Sequence, residues 1–200
     1  ASWLPAQDLT LLQRGAEVFI DWWVGRRLSG NKLKEAAGQL YELLLTYYRN
    51  MPILDKVMVL RDYHAENLML VPNATGLWRL GIIDFQDAVI GSPAYDLMSI
   101  LEDGRRIVPD NVVQACLDYY IDRTGIDKNG LYLAYLTLGL QRNLRILGRF
   151  SQLIHQDKKT KYAQFLGRKS YFVQKRLEMP EFTSLKQWFN RYGLYALYVG

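Results

Sequence analysis

The chain has 200 residues, half of them apolar, with 25 Lys and Arg, 20 Asp and Glu, and one cysteine. This length and composition exclude a disordered chain and are enough for one substantial core, so we expect a single domain over residues 1–200. The lone cysteine excludes an internal disulfide. Its neighbours at 112–117 predict that Cys116 occupies a buried helix position.

A membrane location is not expected from the sequence. The longest apolar runs are shorter than the roughly 20 residues needed to span a bilayer. Residues 1–5 lack the basic, apolar and small-residue order of a signal peptide. We therefore expect a cytoplasmic protein without a membrane partner.

The spacing of apolar residues predicts a mainly α-helical fold with short β hairpins. Helices are predicted at 13–27, 32–48, 92–102, 109–124, 128–155, 160–177 and 182–192. Short apolar runs at 56–60, 68–71 and 77–83 predict strands, and residues 72–76 predict a turn. The predicted strands all lie in the middle of the chain, so we expect small hairpins on a helical body.

Two acidic segments stand at the ends of predicted strands. Asp62 and Asn67, separated by four residues, lie in a loop between two of the strands, and Asp84 ends the next one. The catalytic loop of kinases needs the same two groups at this interval, a carboxylate that accepts the proton of the attacking hydroxyl and an amide that holds a metal on the phosphates. A third oxygen ligand at the following strand end completes a magnesium-binding pattern. The spacing therefore predicts a site for phosphoryl transfer.

The motifs at 62–68, 83–88 and 91–97 resemble those of the aminoglycoside phosphotransferase and choline kinase superfamily. Around residues 84–106 the sequence is most similar to the bacterial kinases of cell-wall amino sugars, N-acetylmuramate and N-acetylglucosamine. Motif resemblance covers residues 56–106. One departure is Leu60, which stands where the family usually has a packing His two positions before the catalytic Asp.

The resemblance implies a role for each motif residue. Asp62 would be the catalytic residue, and Asn67 and Asp84 would bind Mg²⁺ on the phosphates of ATP. Asp96, on the next helix, would accept backbone N–H groups of the loop and support it. His64 would either bond within the loop or lie near the phosphate.

Two further charged residues are possible secondary site residues. Asp87 is either a secondary metal or substrate contact or, as a turn residue, a surface group. Arg61 pairs either with an acidic loop or with a phosphate. The sequence leaves both alternatives open and assigns no substrate-binding residue.

In the family, a nucleotide-binding lobe with a strand lysine and a phosphate-covering loop precedes these motifs. Lys32 and Lys34 cannot supply that lysine because residues 30–34 open a predicted helix. The chain is therefore expected to be the C-terminal catalytic and substrate-binding lobe, with the N-terminal lobe as its partner. Alone it would bind ATP feebly and be inactive.

The resemblance favours an amino sugar as the small-molecule substrate. Residues 141–200 contain 12 Lys and Arg but only 3 Asp and Glu. If this basic segment lines the substrate site, it would bind a polycationic aminoglycoside poorly, because each buried ammonium group needs a carboxylate partner. These residues and Tyr135 offer hydrogen-bonding groups for a sugar, namely Gln141, Arg142, Asn143 and Arg145. An aminoglycoside or choline-type substrate is the alternative within the class.

The alternative of another class is an inactive kinase-like binding module whose basic helical tail docks on nucleic acid or on an acidic protein. An inactive site would not need Asp62, Asn67 and Asp84 together, and the presence of all three argues against this alternative. Nucleic acid is not an expected partner, because a basic tail without a recognised motif does not predict it.

Overall fold

The computed structural model describes residues 3–195, except the side chain of Leu11. Seven α-helices lie within this range: α1 (Leu9–Phe19), α2 (Gly30–Arg49), α3 (Ala94–Leu101), α4 (Asp110–Thr124), α5 (Lys128–His155), α6 (Leu166–Leu177) and α7 (Thr183–Arg191). Four short strands accompany them: β1 (Val57–Val59), β2 (Leu68–Leu70), β3 (Leu80–Ile82) and β4 (Val89–Gly91). The predicted fold class, mainly α with short β elements, is confirmed.

Helix ends follow local signals in the sequence. Helix α5 has the predicted bounds, and α4 ends at Gly125, whose left-handed backbone (φ 67°) suits a residue without a side chain. The first predicted helix begins earlier, at Leu9, and continues after α1 as a π-helical turn, Ile20–Val24. Two 3-10 turns, Thr160–Phe165 and Pro180–Phe182, replace the predicted starts of the last two helices.

The described residues form two compact units. The first unit comprises residues 3–7 and 52–138, and the second comprises residues 8–51 and 139–195. All residues of the predicted catalytic motifs belong to the first unit. The expectation of a single domain with a separate nucleotide-binding lobe stays a prediction.

In the first unit, β1 pairs with β4 in an antiparallel register that sets Val59 opposite Val89. Both side chains are buried. Strand β4 itself was not predicted from the sequence. Residues 5–7 run along the other side of β4, where Gln7 N–H donates to the Ile90 carbonyl at 2.8 Å and Ile90 N–H to the Pro5 carbonyl at 2.8 Å. The strand that leads into the catalytic motif is thus held in a small sheet.

Strands β2 and β3 form an antiparallel hairpin with Met69 opposite Gly81. The predicted strand 77–83 is wrong in its first half, because Gly76–Arg79 is a 3-10 turn and the strand begins at Leu80. The Val71 N–H donates to the Arg79 carbonyl at 2.8 Å, which closes the hairpin before the turn. The hairpin therefore carries Asn67 at its entrance and Asp84 just beyond its exit.

The core of the first unit lies under α3, α4 and the start of α5. Its buried apolar side chains are Val59, Ala88, Val89, Ala94, Tyr95, Met98, Leu101, Leu117, Leu131, Ala134, Tyr135, Leu136 and Leu138. Helix α4 contributes one buried residue, Leu117, so its neighbour Cys116 is exposed and the predicted burial of this cysteine is wrong. The apolar run around Cys116 is too weakly periodic to bury more than one position of the helix.

The second unit packs α1, α2, α6, α7 and the rest of α5 around aromatic side chains. Phe19 and Phe189 are fully buried. The Trp188 Nε1–H donates to the Ala36 carbonyl at 3.0 Å, which joins α7 to α2. A Cβ at Gly148 would lie 2.4 Å from the Val18 carbonyl oxygen, so the close approach of α5 to α1 requires glycine there.

None of the helices described within residues 3–195 has both the length and the apolar content that a bilayer-spanning helix needs.

Candidate active site

The loop of residues 60–67, which we call the catalytic loop, joins its two motif residues, Asp62 and Asn67, by a hydrogen bond. The Asn67 side-chain amide donates to the Asp62 backbone carbonyl at 2.9 Å. A short 3-10 turn, Ala65–Asn67, presents Asn67, which is buried. Asp62 is half-buried. The bond from the Asn67 side chain to the Asp62 backbone thus ties the two motif residues together within the loop.

Asp84 reaches the same place from the far end of the hairpin. The Asn67 amide nitrogen lies 3.3 Å from Asp84 Oδ2, and Gln86 Nε2 donates to Asp84 Oδ1 at 2.8 Å. The Ile83 N–H also donates to the Asn67 carbonyl at 3.1 Å, which fixes the two segments side by side. Asp84 has a left-handed backbone (φ 62°), a conformation that Asp tolerates better than most residues. The structure therefore brings Asn67 and Asp84 into contact.

Asp96 lies under the start of the catalytic loop. Its two carboxylate oxygens accept the N–H of Leu60 at 2.7 Å and the N–H of Arg61 at 3.0 Å. Ser99 Oγ donates to the Arg61 carbonyl at 3.2 Å. Arg61 has a left-handed backbone (φ 69°), which costs a non-glycine residue about 1–2 kcal/mol. Hydrogen bonds to both sides of Arg61 hold the chain in this unfavourable conformation.

The remaining predicted site residues make weaker contacts. His64 Nε2 lies 3.5 Å from the Asn67 amide nitrogen, so the described contact of His64 is within the loop. Arg61 Nη1 donates to the backbone carbonyl of Asp87 at 3.4 Å. The Asp87 side chain is exposed. Arg61 therefore links the loop to the segment after Asp84 through the Asp87 backbone rather than its carboxylate.

Sequence reasoning missed four residues that contact these segments. Gln86 holds Asp84, Ser99 holds Arg61, and Asp103 and Arg105 hold the far end of the catalytic loop. A signal was present for Ser99, because it follows Asp96 by three residues within α3. That spacing places polar groups on one face of a helix.

The pKa of Asp103 lies below its ordinary value although its carboxylate is buried. Burial alone raises that pKa, but the N–H of Arg105, its guanidinium charge and the N–H of Ala65 together outweigh burial. Burial, followed by the charge of Asp96, raises the pKa of Tyr63, whose hydroxyl therefore stays protonated. Near neutral pH the Asp103 carboxylate beside the loop is thus ionised, and the Tyr63 phenol within the loop is neutral.

The donor chemistry at the contact between Asn67 and Asp84 fits a hard divalent cation. The Asn67 amide nitrogen is engaged by Asp62 and Asp84, so its amide oxygen is the atom suited to a cation. A carboxylate and an amide oxygen are ligands that Mg²⁺ accepts while it keeps several waters. Within residues 3–195, His, Cys, Asp and Glu form no three-residue metal cluster, so a zinc-type centre is not indicated there.

The groups offered by residues 141–145 are partly engaged within the second unit. Gln141 Nε2 donates to the Leu12 carbonyl at 3.2 Å. Asn143 is fully buried, and Arg142 is nearly so. Gln141 thus contacts its own unit, and Arg145 is half-buried. A substrate role for these residues stays a prediction.

Comparison with known proteins places these motifs in a family. The chain is 36% identical over 191 residues to an N-acetylmuramate/N-acetylglucosamine kinase of Caulobacter vibrioides, covering 94% of this chain and 52% of that protein. Kinases described in the same words are 32% identical in Pseudomonas putida (91% and 56% covered) and 30% identical in Neisseria meningitidis (98% and 57% covered). The chain thus spans about half the length of the curated relatives it matches.

A solved structure is also similar in part. A spectinomycin phosphotransferase crystallised with ADP and spectinomycin aligns with a TM-score of 0.49 and 14% identity, covering 90% of this chain and 55% of that one. Residues 4–130, which include every residue of the site described above, match the family described as "Phosphotransferase enzyme family". The chain belongs to the phosphotransferase enzyme family.

Proposed function

We propose that the complete protein transfers the γ-phosphoryl group of ATP to a hydroxyl of an amino sugar, in the presence of Mg²⁺. The observation that carries this proposal is the contact of Asn67 with both the Asp62 backbone and the Asp84 carboxylate, at 2.9 and 3.3 Å. Phosphoryl transfer requires mainly positioning and charge stabilisation, and this contact brings together the residue types that supply them.

Asp62 is the group proposed to act on the acceptor. Its carboxylate orients the sugar hydroxyl in line with the phosphorus and holds the proton that the hydroxyl loses. Half-buried, Asp62 is reachable by a small molecule while its backbone is fixed through Asn67. It is therefore proposed as the catalytic residue.

Asn67 and Asp84 are proposed to hold Mg²⁺. When bound, the cation neutralises negative charge on the phosphates of ATP. Gln86 donates to Asp84 Oδ1 and the Asn67 amide nitrogen lies 3.3 Å from Oδ2, so both carboxylate oxygens are oriented. Each carboxylate oxygen has a second lone pair, which together with the Asn67 amide oxygen serves the ligand role. His64, Arg61 and Asp87 surround these residues but are given no direct part in the transfer.

The substrate class rests on the relatives. Proteins 30–36% identical to this chain are named as kinases of N-acetylmuramate and N-acetylglucosamine. A sugar carrying an acetylated amine has no cationic group, so its binding does not require several pocket carboxylates, as an aminoglycoside would. An N-acetylated sugar is accordingly the proposed acceptor.

The hairpin offers a surface for the nucleotide-binding lobe that the proposed reaction needs. Leu77, Trp78 and Leu70 are 92%, 85% and 77% exposed, and Ile83 and Phe85 beside Asp84 are also exposed. Apolar side chains exposed together on one element mark an interaction surface. We propose that the partner lobe packs against these exposed apolar side chains of the hairpin.

The test is a side-by-side kinetic assay of the full-length protein with ATP and Mg²⁺. N-acetylmuramate and N-acetylglucosamine should give a specificity constant at least about tenfold above kanamycin or choline, which corresponds to about 1.4 kcal/mol in transition-state binding. Higher activity on kanamycin would replace the amino sugar with an aminoglycoside. Absence of transfer to all four acceptors, with intact folding, would favour an inactive binding module.

A further inference from the structure

The catalytic loop is held at both ends by carboxylates from one stretch of chain. Asp96, inside α3, takes the N–H groups of Leu60 and Arg61 at the start of the loop. Asp103, two residues beyond α3, accepts the N–H of Ala65 at 3.4 Å near the end of the loop. Ala65 opens the 3-10 turn that presents Asn67. Asp103 therefore acts on the half of the loop that carries the proposed metal ligand.

Asp103 is built into the fold rather than lying on the surface. It is 3% exposed, and its Oδ1 accepts the N–H of Arg105 at 3.0 Å. The same oxygen lies 3.5 Å from Arg105 Nη1. A buried carboxylate without such partners would be strongly destabilising, so these contacts explain why an acidic residue can occupy the position.

Arg105 connects Asp103 to a second point on the loop. Its Nε lies 2.7 Å from Glu66 Oε2, and its side chain is 29% exposed against 61% for Glu66. Ala65 and Glu66 are neighbours in the loop. Asp103 therefore binds the loop through the Ala65 backbone N–H, and Arg105 binds it through the Glu66 carboxylate. Arg105 can make both contacts because a guanidinium presents several donors in a rigid plane.

We propose that Asp103, together with Arg105 and Glu66, positions the Ala65–Asn67 turn and thereby sets the affinity of the proposed Mg²⁺ site. Asp103 touches neither substrate nor metal in this proposal and is a positioning residue. The role in metal binding rests on the proposed function, whereas the hold on the turn does not.

The consequence for Asn67 follows from its own contacts. Its amide must satisfy the Asp62 carbonyl and lie beside Asp84 at the same time. A turn free to rotate at Ala65 would break one of these contacts and move the amide oxygen. Residues that orient a metal ligand from behind commonly change metal affinity by about 10- to 100-fold when replaced.

The experiment compares the full-length wild-type protein with Asp103→Asn and Arg105→Gln. Asp103→Asn keeps an acceptor for Ala65 but loses the charge that holds Arg105. Arg105→Gln removes the bridge to Glu66 at a partly exposed position and so tests the same network if Asp103→Asn folds poorly. Asp118→Asn is the matched control, because Asp118 is an exposed carboxylate with a lysine, Lys128, at 3.5 Å.

Three quantities are measured: hydrogen–deuterium exchange of residues 64–68, Mn²⁺ binding by water-proton relaxation, and the Mg²⁺ concentration at half-maximal turnover. Asp103→Asn and Arg105→Gln should speed exchange in this segment by about tenfold or more. Both metal measurements should weaken by about tenfold. Asp118→Asn should leave all three at the wild-type values.

A lower melting temperature with unchanged exchange at 64–68 and unchanged metal requirement would overturn the proposal, because Asp103 would then stabilise the fold without positioning the turn. If the wild-type protein transfers no phosphoryl group to any amino sugar, the proposed function fails. The exchange and Mn²⁺ measurements, which need no acceptor, still decide whether Asp103 positions the turn.

Discussion

Asp96 accepts a hydrogen bond from the backbone of Arg61 at 3.0 Å, and Arg61 is one of the described non-glycine residues with a left-handed backbone. The same carboxylate accepts the neighbouring N–H of Leu60 at 2.7 Å. An Asn side chain has an NH₂ group in place of one of these two oxygens, and that group would face a backbone N–H that it cannot accept. The shape of the catalytic loop therefore depends on the charge and the two acceptors of Asp96.

Replacing Asp96 by Asn should destabilise the protein. We expect the free energy of unfolding to fall by about 1–3 kcal/mol, because one buried N–H loses a charged acceptor. Turnover should fall as well, since Arg61 directly precedes Asp62. Urea denaturation of Asp96→Asn and of Ser99→Ala, which loses a single bond to the Arg61 carbonyl, checks this. Equal stability of Asp96→Asn and wild type would contradict the loop-supporting role.

Replacing Asp84 by Asn should remove nearly all turnover while the fold stays intact. Asp84 is exposed, so the change creates neither a cavity nor a buried unpaired charge. Its loss should weaken Mn²⁺ binding because one anionic ligand becomes neutral. The control is Asp122→Asn, at an exposed carboxylate on α4. Turnover of Asp84→Asn near the wild-type rate at ordinary Mg²⁺ would refute the ligand assignment.

Acid should weaken the hold of Asp103 on the loop. The pKa of Asp103 in the folded protein lies below its ordinary value of 3.8. Its ionised form therefore contributes stability that is complete above that value and is lost as the pH falls through the lower folded pKa. The difference in unfolding free energy between wild type and Asp103→Asn should be constant near neutral pH and shrink below about pH 3.8.

Denaturant titrations of both proteins at a series of pH values measure this difference. The Asp118→Asn variant provides the comparison for an exposed carboxylate. A difference that grows as the pH falls would show that Asp103 has a raised pKa in the folded protein, contrary to its contacts with Arg105 and Ala65.

The exposed hairpin should control both solubility and nucleotide binding. Residues 1–200 alone are expected to bind ATP feebly and to transfer no phosphate. Trp78→Ser should make this isolated chain more soluble, because an indole that is 85% exposed gains little from the fold. In the full-length protein the same change should weaken ATP binding by disturbing the proposed lobe contact. Calorimetry with ATP and solubility measurements test the two effects.

Ile107→Ser is the matched control, since Ile107 is 80% exposed elsewhere in the first unit. It should leave ATP binding by the full-length protein unchanged. Tight ATP binding by residues 1–200 alone would contradict the proposed contact between the nucleotide-binding lobe and the hairpin. Equal effects of Trp78→Ser and Ile107→Ser on ATP binding by the full-length protein would contradict it as well.

Much of the site was predictable because its signals are local. The four-residue interval between Asp62 and Asn67 and the position of Asp84 at a strand end are features of short sequence segments. Likewise, Gly125 ends α4, and the periodicity over 128–155 coincides with α5. The contact of Asn67 with Asp84 was implied by chemistry, but its distance required the hairpin register.

Other features depended on pairings between distant segments. The partner of β1 is β4, some thirty residues later along the chain, and the short run Val89–Gly91 is too brief to predict as a strand. The 3-10 turn before β3 likewise replaced a predicted extension of the strand. Burial of Cys116 was predicted from neighbouring apolar residues, yet α4 presents that side chain to solvent.

The sequence by itself determined the helical character of the chain, the order of its polar motifs and their membership in a phosphoryl-transfer family, because periodicity and spacing act over a few residues. The tertiary structure alone decided how the loop is supported. Asp103 and Ala65 are 38 residues apart, and only the packing of α3 against the loop makes the buried carboxylate an acceptor for that N–H. A hydrogen bond between segments that are far apart in the sequence depends on the tertiary fold that brings them together. Local sequence patterns therefore do not predict it.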